Sequence, residues 1–249
     1  MSFGKRLIWG GIGWALGGPI GGIIGYALAS LSQQTSNDGA TNFGGGFRSH
    51  RQPSVTQSGD FAVSLLVLFA TVMKADRQML KSELEYIKQF LNKQFGSRNA
   101  RDLFLLFRDI IEQDYPLRDV CRQIQRSMDH PSRLELIHVL FGLSKADGQI
   151  HPEEISVIKR IAKYLNISDN DYYSIRAMFV EDTDSTYKIL GVDPRADDLE
   201  LKRAYRHMAN KYHPDKVAHL GVDLQNLAED KFKAVNGAYQ KIKAERQIP

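Results

Sequence analysis

The amino-acid sequence predicts an all-α protein with an N-terminal transmembrane helix, and three observations lead to this prediction. Apolar side chains recur at steps of three and four residues through most of the chain after residue 60, which is the period of an amphipathic helix. No stretch shows the alternation of apolar and polar residues that is typical of a half-buried strand. Residues 7–31 form a stretch of 25 residues without a charge, long enough to cross a bilayer core of about 30 Å as a helix.

The composition narrows the class of protein. The chain has 249 residues and a net charge of +4, and it contains no run of five like charges, so we predict no nucleic-acid partner. The single cysteine, Cys121, excludes an intramolecular disulfide and a four-thiolate zinc site. Cys121 lies within a helical pattern and is interpreted as a small core residue. No catalytic motif stands in a suitable context, so we predict neither an enzyme nor a cofactor.

The uncharged segment belongs to a predicted membrane anchor over residues 1–31, in which glycine recurs every fourth residue. Such a period leaves one helix face without side chains, so that two helices approach closely and a homodimer becomes possible. The residues of this predicted face are Gly13, Gly17, Gly21 and Gly25. Pro19 interrupts the backbone hydrogen bonds in mid-segment, so a bent hairpin lying in the membrane is an alternative.

The charges around this segment conflict with the location that we predict below for the rest of the chain. Lys5 and Arg6 precede the segment, and no basic residue follows before Arg48. The positive-inside tendency therefore directs the later domains away from the cytoplasm. The same two bases, followed by an apolar stretch and the small residues at 27–29, also resemble a secretory signal. We favour a retained segment because the apolar stretch is longer than a signal core and rich in glycine.

Residues 32–59 separate the predicted anchor from the first helical domain. They are rich in Ser, Gln, Thr, Asn and Gly and have almost no apolar periodicity, which is typical of a flexible linker. The next domain, residues 60–183, is predicted to be a bundle of seven helices. Its apolar stripes lie at about 61–72, 84–91, 103–111, 116–128, 133–146, 152–165 and 168–180.

A helix–turn–helix unit occurs twice within this domain. The letters K-A-D-R-Q-M at 74–79 align with K-A-D-G-Q-I at 145–150, and the register continues without a gap. This internal helix-pair repeat resembles the TerB family, a helical domain named for tellurite resistance, over about residues 60–180. The resemblance implies metal binding through acidic residues. The matching candidates are Asp76, Glu83, Asp147, Glu153 and Glu154.

A simpler interpretation of the same carboxylates is structural. An aspartate before a turn accepts backbone N–H groups, and a glutamate in a first helical turn complements the helix dipole. Arg77 also brings a positive charge to the first acidic cluster, where the second copy has Gly148. Metal binding and helix capping therefore both remain open at this point.

Residues 184–249 form a predicted helical hairpin. Gly191 ends a short first helix, and a longer helix then places apolar residues on one side and bases on the other. The bases are Lys202, Arg203, Arg206 and Lys211. This helix ends before Pro214, because a residue that precedes proline avoids the α conformation. After a loop to about residue 222, a last helix returns, with His213, Pro214 and Asp215 at the tip of the hairpin.

The same segment resembles the J domain of DnaJ-type co-chaperones over nearly its whole length. The matching letters are Y-K-I-L-G-V at 187–192, L-K-R-A-Y-R at 201–206, Y-H-P-D-K at 212–216 and K-F-K-A-V-N-G-A-Y at 231–239. The resemblance implies that the basic helix docks on the ATPase domain of a DnaK-type chaperone. It further implies that Asp215 meets an arginine there, while Pro214 stiffens the tip and His213 positions it. ATP hydrolysis on the partner would then be faster.

The order of the predicted parts resembles the DjlA-like group of J-domain proteins. This resemblance implies a co-chaperone, anchored in the inner membrane by a single pass, that directs a DnaK-type chaperone to client proteins. We expect the soluble domains to face the cytoplasm because the partner needs ATP, although Lys5 and Arg6 favour the opposite orientation. The alternative function is metal or tellurite-stress sensing by the TerB-like domain.

Overall fold

The computed structural model describes residues 20, 58–75, 80–180, 184–220 and 222–248. These residues form helices and no strand, in agreement with the predicted all-α class. The helices are α1 Ser58–Met73, α2 Lys81–Ile111, α3 Leu117–Ser127, α4 His130–Ser144, α5 Pro152–Tyr164, α6 Asp169–Ala177, α7 Ser185–Leu190, α8 Asp198–Lys211 and α9 Val222–Arg246, with a 3₁₀ helix over Pro214–Leu220.

Two predictions concern residues outside this description. The glycine face of the predicted anchor, Gly13, Gly17, Gly21 and Gly25, lies there, as does Asp76 in the first copy of the repeated turn. Among the helices that are described, none combines the length and the apolar character needed to cross a bilayer.

The chain divides into two compact units, the first ending at Met128 and the second beginning at Asp129. In the first unit, α1 packs against α2 and α3. The side chains of α1 from Phe61 to Met73 are almost entirely buried, and the Phe69 ring meets the Phe90 ring edge to face with centroids 6.0 Å apart. Cys121 lies in this core, where burial raises the pKa of its thiol to about 12. The thiol therefore stays protonated, as a core residue does.

Helix α2 contains a break that divides it into two arms. Gly96 has φ 73° and ψ 157°, a conformation that belongs to glycine and lies outside the helical region. The predicted stripes at 84–91 and 103–111 fall on opposite sides of this glycine. The break therefore explains why the apolar periodicity does not run straight through α2.

Helix α4 lies at the centre of the second unit. Asp129 caps its N-terminus by accepting a hydrogen bond from the Ser132 N–H at 2.8 Å, and Pro131 occupies its first turn. Every side chain from Leu134 to Phe141 is buried. Helices α5, α6 and α9 and the 3₁₀ helix all contact α4. The second copy of the repeat thus shares one compact unit with the C-terminal hairpin.

The hairpin is held together by an aromatic contact between α8 and α9. The rings of Tyr205 and Tyr239 stack with centroids 4.2 Å apart, and the Tyr205 hydroxyl is 2.9 Å from Asn236 Oδ1. Asp197 caps α8 by accepting from the Glu200 N–H at 2.7 Å. The predicted loop after Pro214 is instead mostly a 3₁₀ helix, because the fixed φ of proline suits a tight helical turn.

Candidate functional site

The tip of the hairpin presents a carboxylate to solvent on a short, well-supported turn. Helix α8 ends at Lys211, and the 3₁₀ helix begins only three residues later at Pro214. The Asp215 N–H donates to His213 Nδ1 at 3.3 Å, and the His213 ring meets the Phe232 ring of α9 edge to face at 5.8 Å. The Asp215 side chain is 78% exposed. His213 therefore joins the turn to α9, and its Nδ1 lies 3.4 Å from one oxygen of the Asp215 carboxylate, most of which faces solvent.

The four predicted docking bases on α8 have different surroundings. Lys202, Arg203 and Arg206 are exposed. Lys211, at the end of the helix, is only 21% exposed in its side chain and is paired with the carboxylate of Asp171. Three of the bases are therefore open to solvent, and the fourth, Lys211, forms an ion pair with Asp171.

Asp171, in the first turn of α6, is surrounded by donors. Ser168 Oγ lies 2.8 Å from one of its oxygens, His130 Nε2 lies 3.6 Å from the same oxygen, and Lys211 contacts the other. Burial opposes ionisation of this carboxyl, but the hydrogen bonds from His130, Lys211 and Ser168 outweigh burial and hold its pKa at about 2. Asp171 is therefore charged at neutral pH and attracts Lys211.

A second ion pair is fully buried behind the tip. Lys231 of α9 contacts Glu135 of α4, and their side chains are 1% and 2% exposed. Burial lowers the pKa of Lys231 and raises the pKa of Glu135, while the attraction between them opposes both shifts. The Lys231 ammonium also lies 5.4 Å from the centre of the Tyr212 ring. This pair ties the C-terminal hairpin to the second repeat copy.

Sequence reasoning missed this pair, although a signal was present. Lys231 stands on the apolar stripe of α9, three residues after Ala228 and four before Val235. Glu135 stands within the apolar run L-E-L-I of α4. A lone charge on an apolar face indicates that the charge is buried, and a buried charge needs a partner of opposite sign.

Two of the candidate metal residues that the structure describes, Glu83 and Glu154, act as helix caps. Glu83 accepts from the Leu80 N–H and Glu154 accepts from the His151 N–H, both at 2.9 Å. The two copies of the repeat thus place an equivalent glutamate on an equivalent backbone group. Asp147 accepts from the Gln149 N–H at 2.9 Å, and Glu153 is exposed. Over the described residues, no three His, Cys, Asp or Glu side chains form a group that could hold a metal ion.

Comparison with known families finds two family models that match consecutive parts of the chain. The family model described as tellurite resistance protein TerB matches residues 62–177. The family model of the DnaJ domain matches residues 185–248, which include the His213–Asp215 tip and the basic helix. The chain is therefore a J-domain co-chaperone with a TerB-like domain.

Relatives that match along most of the chain are similar to it as follows. The chain is 27% identical to the co-chaperone protein DjlA of Vibrio vulnificus, over 75% of this chain and 78% of the relative. It is 25% identical to that of Aliivibrio fischeri over 90% of each chain, and 23% identical to that of Coxiella burnetii over the whole of both. These similarities support a DjlA-like J-domain co-chaperone. No solved structure matches it.

Proposed function

We propose that this chain stimulates ATP hydrolysis by a DnaK-type chaperone and directs that chaperone to clients at a membrane. The observation that carries the proposal is the exposed Asp215 carboxylate on a turn supported by His213, beside a helix that presents exposed bases. An exposed carboxylate on a short turn suits a charge-assisted contact with an arginine of the partner. Lys202, Arg203 and Arg206 suit an acidic surface and would speed the encounter.

In this proposal the chain performs no chemistry and needs no cofactor of its own. The nucleotide is bound and hydrolysed by the partner, and the chain shifts the partner toward the conformation that hydrolyses ATP and holds the client. The part played by the TerB-like domain is to select or position clients.

The proposed location is the inner membrane, with residues 1–31 as a single-pass anchor and the soluble domains in the cytoplasm. The uncharged stretch over 7–31 supports the anchor, and its repeated glycines support a homodimer. Treatment of sealed right-side-out vesicles with protease tests the orientation. The α-helical domains are expected to resist digestion until detergent is added, and cleavage in intact vesicles would place them outside the cytoplasm.

The proposed ATPase stimulation is tested by single-turnover hydrolysis on the host's DnaK-type chaperone at increasing concentrations of the chain. We expect acceleration, with a higher half-maximal concentration when Lys202, Arg203 and Arg206 are all changed to Gln. A matched control changes one lysine and two arginines that are also exposed, on α2, namely Lys93, Arg98 and Arg101. The control should behave as the native chain.

Absence of stimulation by the folded native chain would refute the proposal. It would favour the alternative function, metal binding by the TerB-like domain, which calorimetry with divalent cations measures directly. Equal weakening in both triple variants would mean that total charge matters and not the basic face of α8.

A further inference from the structure

Three pairs of acidic and basic side chains join the TerB-like segment to the C-terminal hairpin, and all three have the acid on the same segment. Glu135 of α4 pairs with Lys231, and Asp171 of α6 pairs with Lys211. Asp129, which caps α4, lies 3.2 Å from His219 Nε2 in the 3₁₀ helix. In each case the TerB-like segment supplies the acid and the J domain supplies the basic side chain. We call the three acids, Asp129, Glu135 and Asp171, the acidic face.

Apolar packing and a backbone contact surround these pairs. Leu134 of α4 lines the same small pocket as Tyr212, Val217 and Ala228 of the J domain. On α6, Ser174 Oγ donates to the backbone carbonyl of Ile189 at 2.6 Å. The interface is therefore continuous with the core of the second unit and not a contact of surface side chains alone.

The acidic face presents carboxylates to the J domain, as the acidic surface of the proposed partner would. The chaperone is proposed to receive the bases of α8 on an acidic surface, and Lys211 is one of these bases. Its ammonium is already bound to Asp171, whose side chain is only 4% exposed. A partner that needs this ammonium has to displace a carboxylate that is held in place by Ser168 and His130.

We propose that the acidic face is a built-in competitor that weakens docking of the chaperone on the J domain by holding Lys211 at Asp171. This inference rests on the proposed function and adds a regulation of the same site. The competition is partial, because Lys202, Arg203, Arg206 and Asp215 stay exposed while Lys211 is held. A client or membrane contact that loosened α6 would release Lys211 and strengthen docking.

The test is the half-maximal concentration of full-length chain that stimulates single-turnover ATP hydrolysis by the DnaK-type chaperone. Asp171→Asn removes the charge that holds Lys211 and keeps the size of the side chain. We expect the half-maximal concentration to fall about fivefold, the lower end of common coupling between sites, with an unchanged maximal rate. Asp169→Asn, an exposed change on the same helix, should leave both values unchanged.

A second variant covers the case in which Asp171→Asn does not fold. Asp129→Asn keeps a residue that caps helices well but removes the charge beside His219, in the 3₁₀ helix that begins three residues after Lys211. The acidic face then holds this part of the J domain less tightly, so the half-maximal concentration should shift in the same direction. If the native chain stimulates but the folded variants show an unchanged or higher half-maximal concentration, the proposed competition is refuted. The proposed function would then be unaffected. No stimulation by any chain would overturn both.

Discussion

At the scale of single residues, the buried pair of Lys231 and Glu135 has the largest energetic consequence. Removing two charges from water costs several kcal/mol each, and their attraction and hydrogen bond offset this cost only while both are present. The two residues are 96 positions apart in the sequence. Their separate patterns indicate that each is buried, but only the packing of α9 on α4 shows that they are partners.

This pair gives a prediction for stability. Glu135→Gln leaves the Lys231 ammonium buried without a counter-charge and should lower the free energy of unfolding by about 3–5 kcal/mol. Replacing both residues together, Glu135→Leu with Lys231→Met, should restore most of this loss, because two apolar side chains then fill the same space. Urea unfolding followed by circular dichroism measures both variants. A double variant as unstable as the single one would contradict the account.

At the scale of helices, the sequence predicted the end of a helix at a glycine but not the short 3₁₀ helix at Pro214–Leu220. Gly191 was expected to end the first helix of the J domain, and it does so with φ 67°, while the Val192 N–H bonds to the Tyr187 carbonyl at 3.1 Å. The 3₁₀ helix after Pro214 was predicted as a loop, because the sequence pattern does not distinguish a polar loop from a short tight helix.

Two glycines of the J domain should respond in opposite ways to the same substitution. Gly191→Ala places a side chain in the left-handed region and should cost about 1–2 kcal/mol. Gly237 lies inside α9 with open space around it, so Gly237→Ala should stabilise the protein by about 0.5–1 kcal/mol. Thermal unfolding of the two variants provides the comparison. Stabilisation by Gly191→Ala would show that its backbone conformation is not required.

At the scale of the whole molecule, the domain boundary predicted from the sequence motifs does not coincide with the boundary between the two compact units. The two resemblances predicted a boundary near residue 183, and that boundary stays a prediction. The compact units divide at residue 128, so that the second repeat copy and the J domain lie together. Periodicity could predict the helices and the tip at His213–Asp215, since both are local patterns. It could not predict the ion pair of Lys211 with Asp171 or that of Lys231 with Glu135, since each pair joins distant parts of the chain.

This arrangement predicts cooperative unfolding across the second unit. Because the buried pair joins α4 to α9, the central amides of both helices should exchange with deuterium at the same opening free energy in the full-length chain. Native-state hydrogen exchange in low denaturant measures these energies. A value for α9 several kcal/mol below that for α4 would show that the J domain opens by itself.

Asp215 is the residue through which we propose that the chain acts on a DnaK-type chaperone. The most direct measurement is single-turnover ATP hydrolysis by that chaperone with the native full-length chain, with Asp215→Asn and with the control Asp169→Asn. The side chain of Asp215 is 78% exposed, so its replacement should leave the fold intact. We predict acceleration by the native chain and the control, reduced about tenfold or more by Asp215→Asn through loss of a charge-assisted contact. Full stimulation by a folded Asp215→Asn chain would contradict the account.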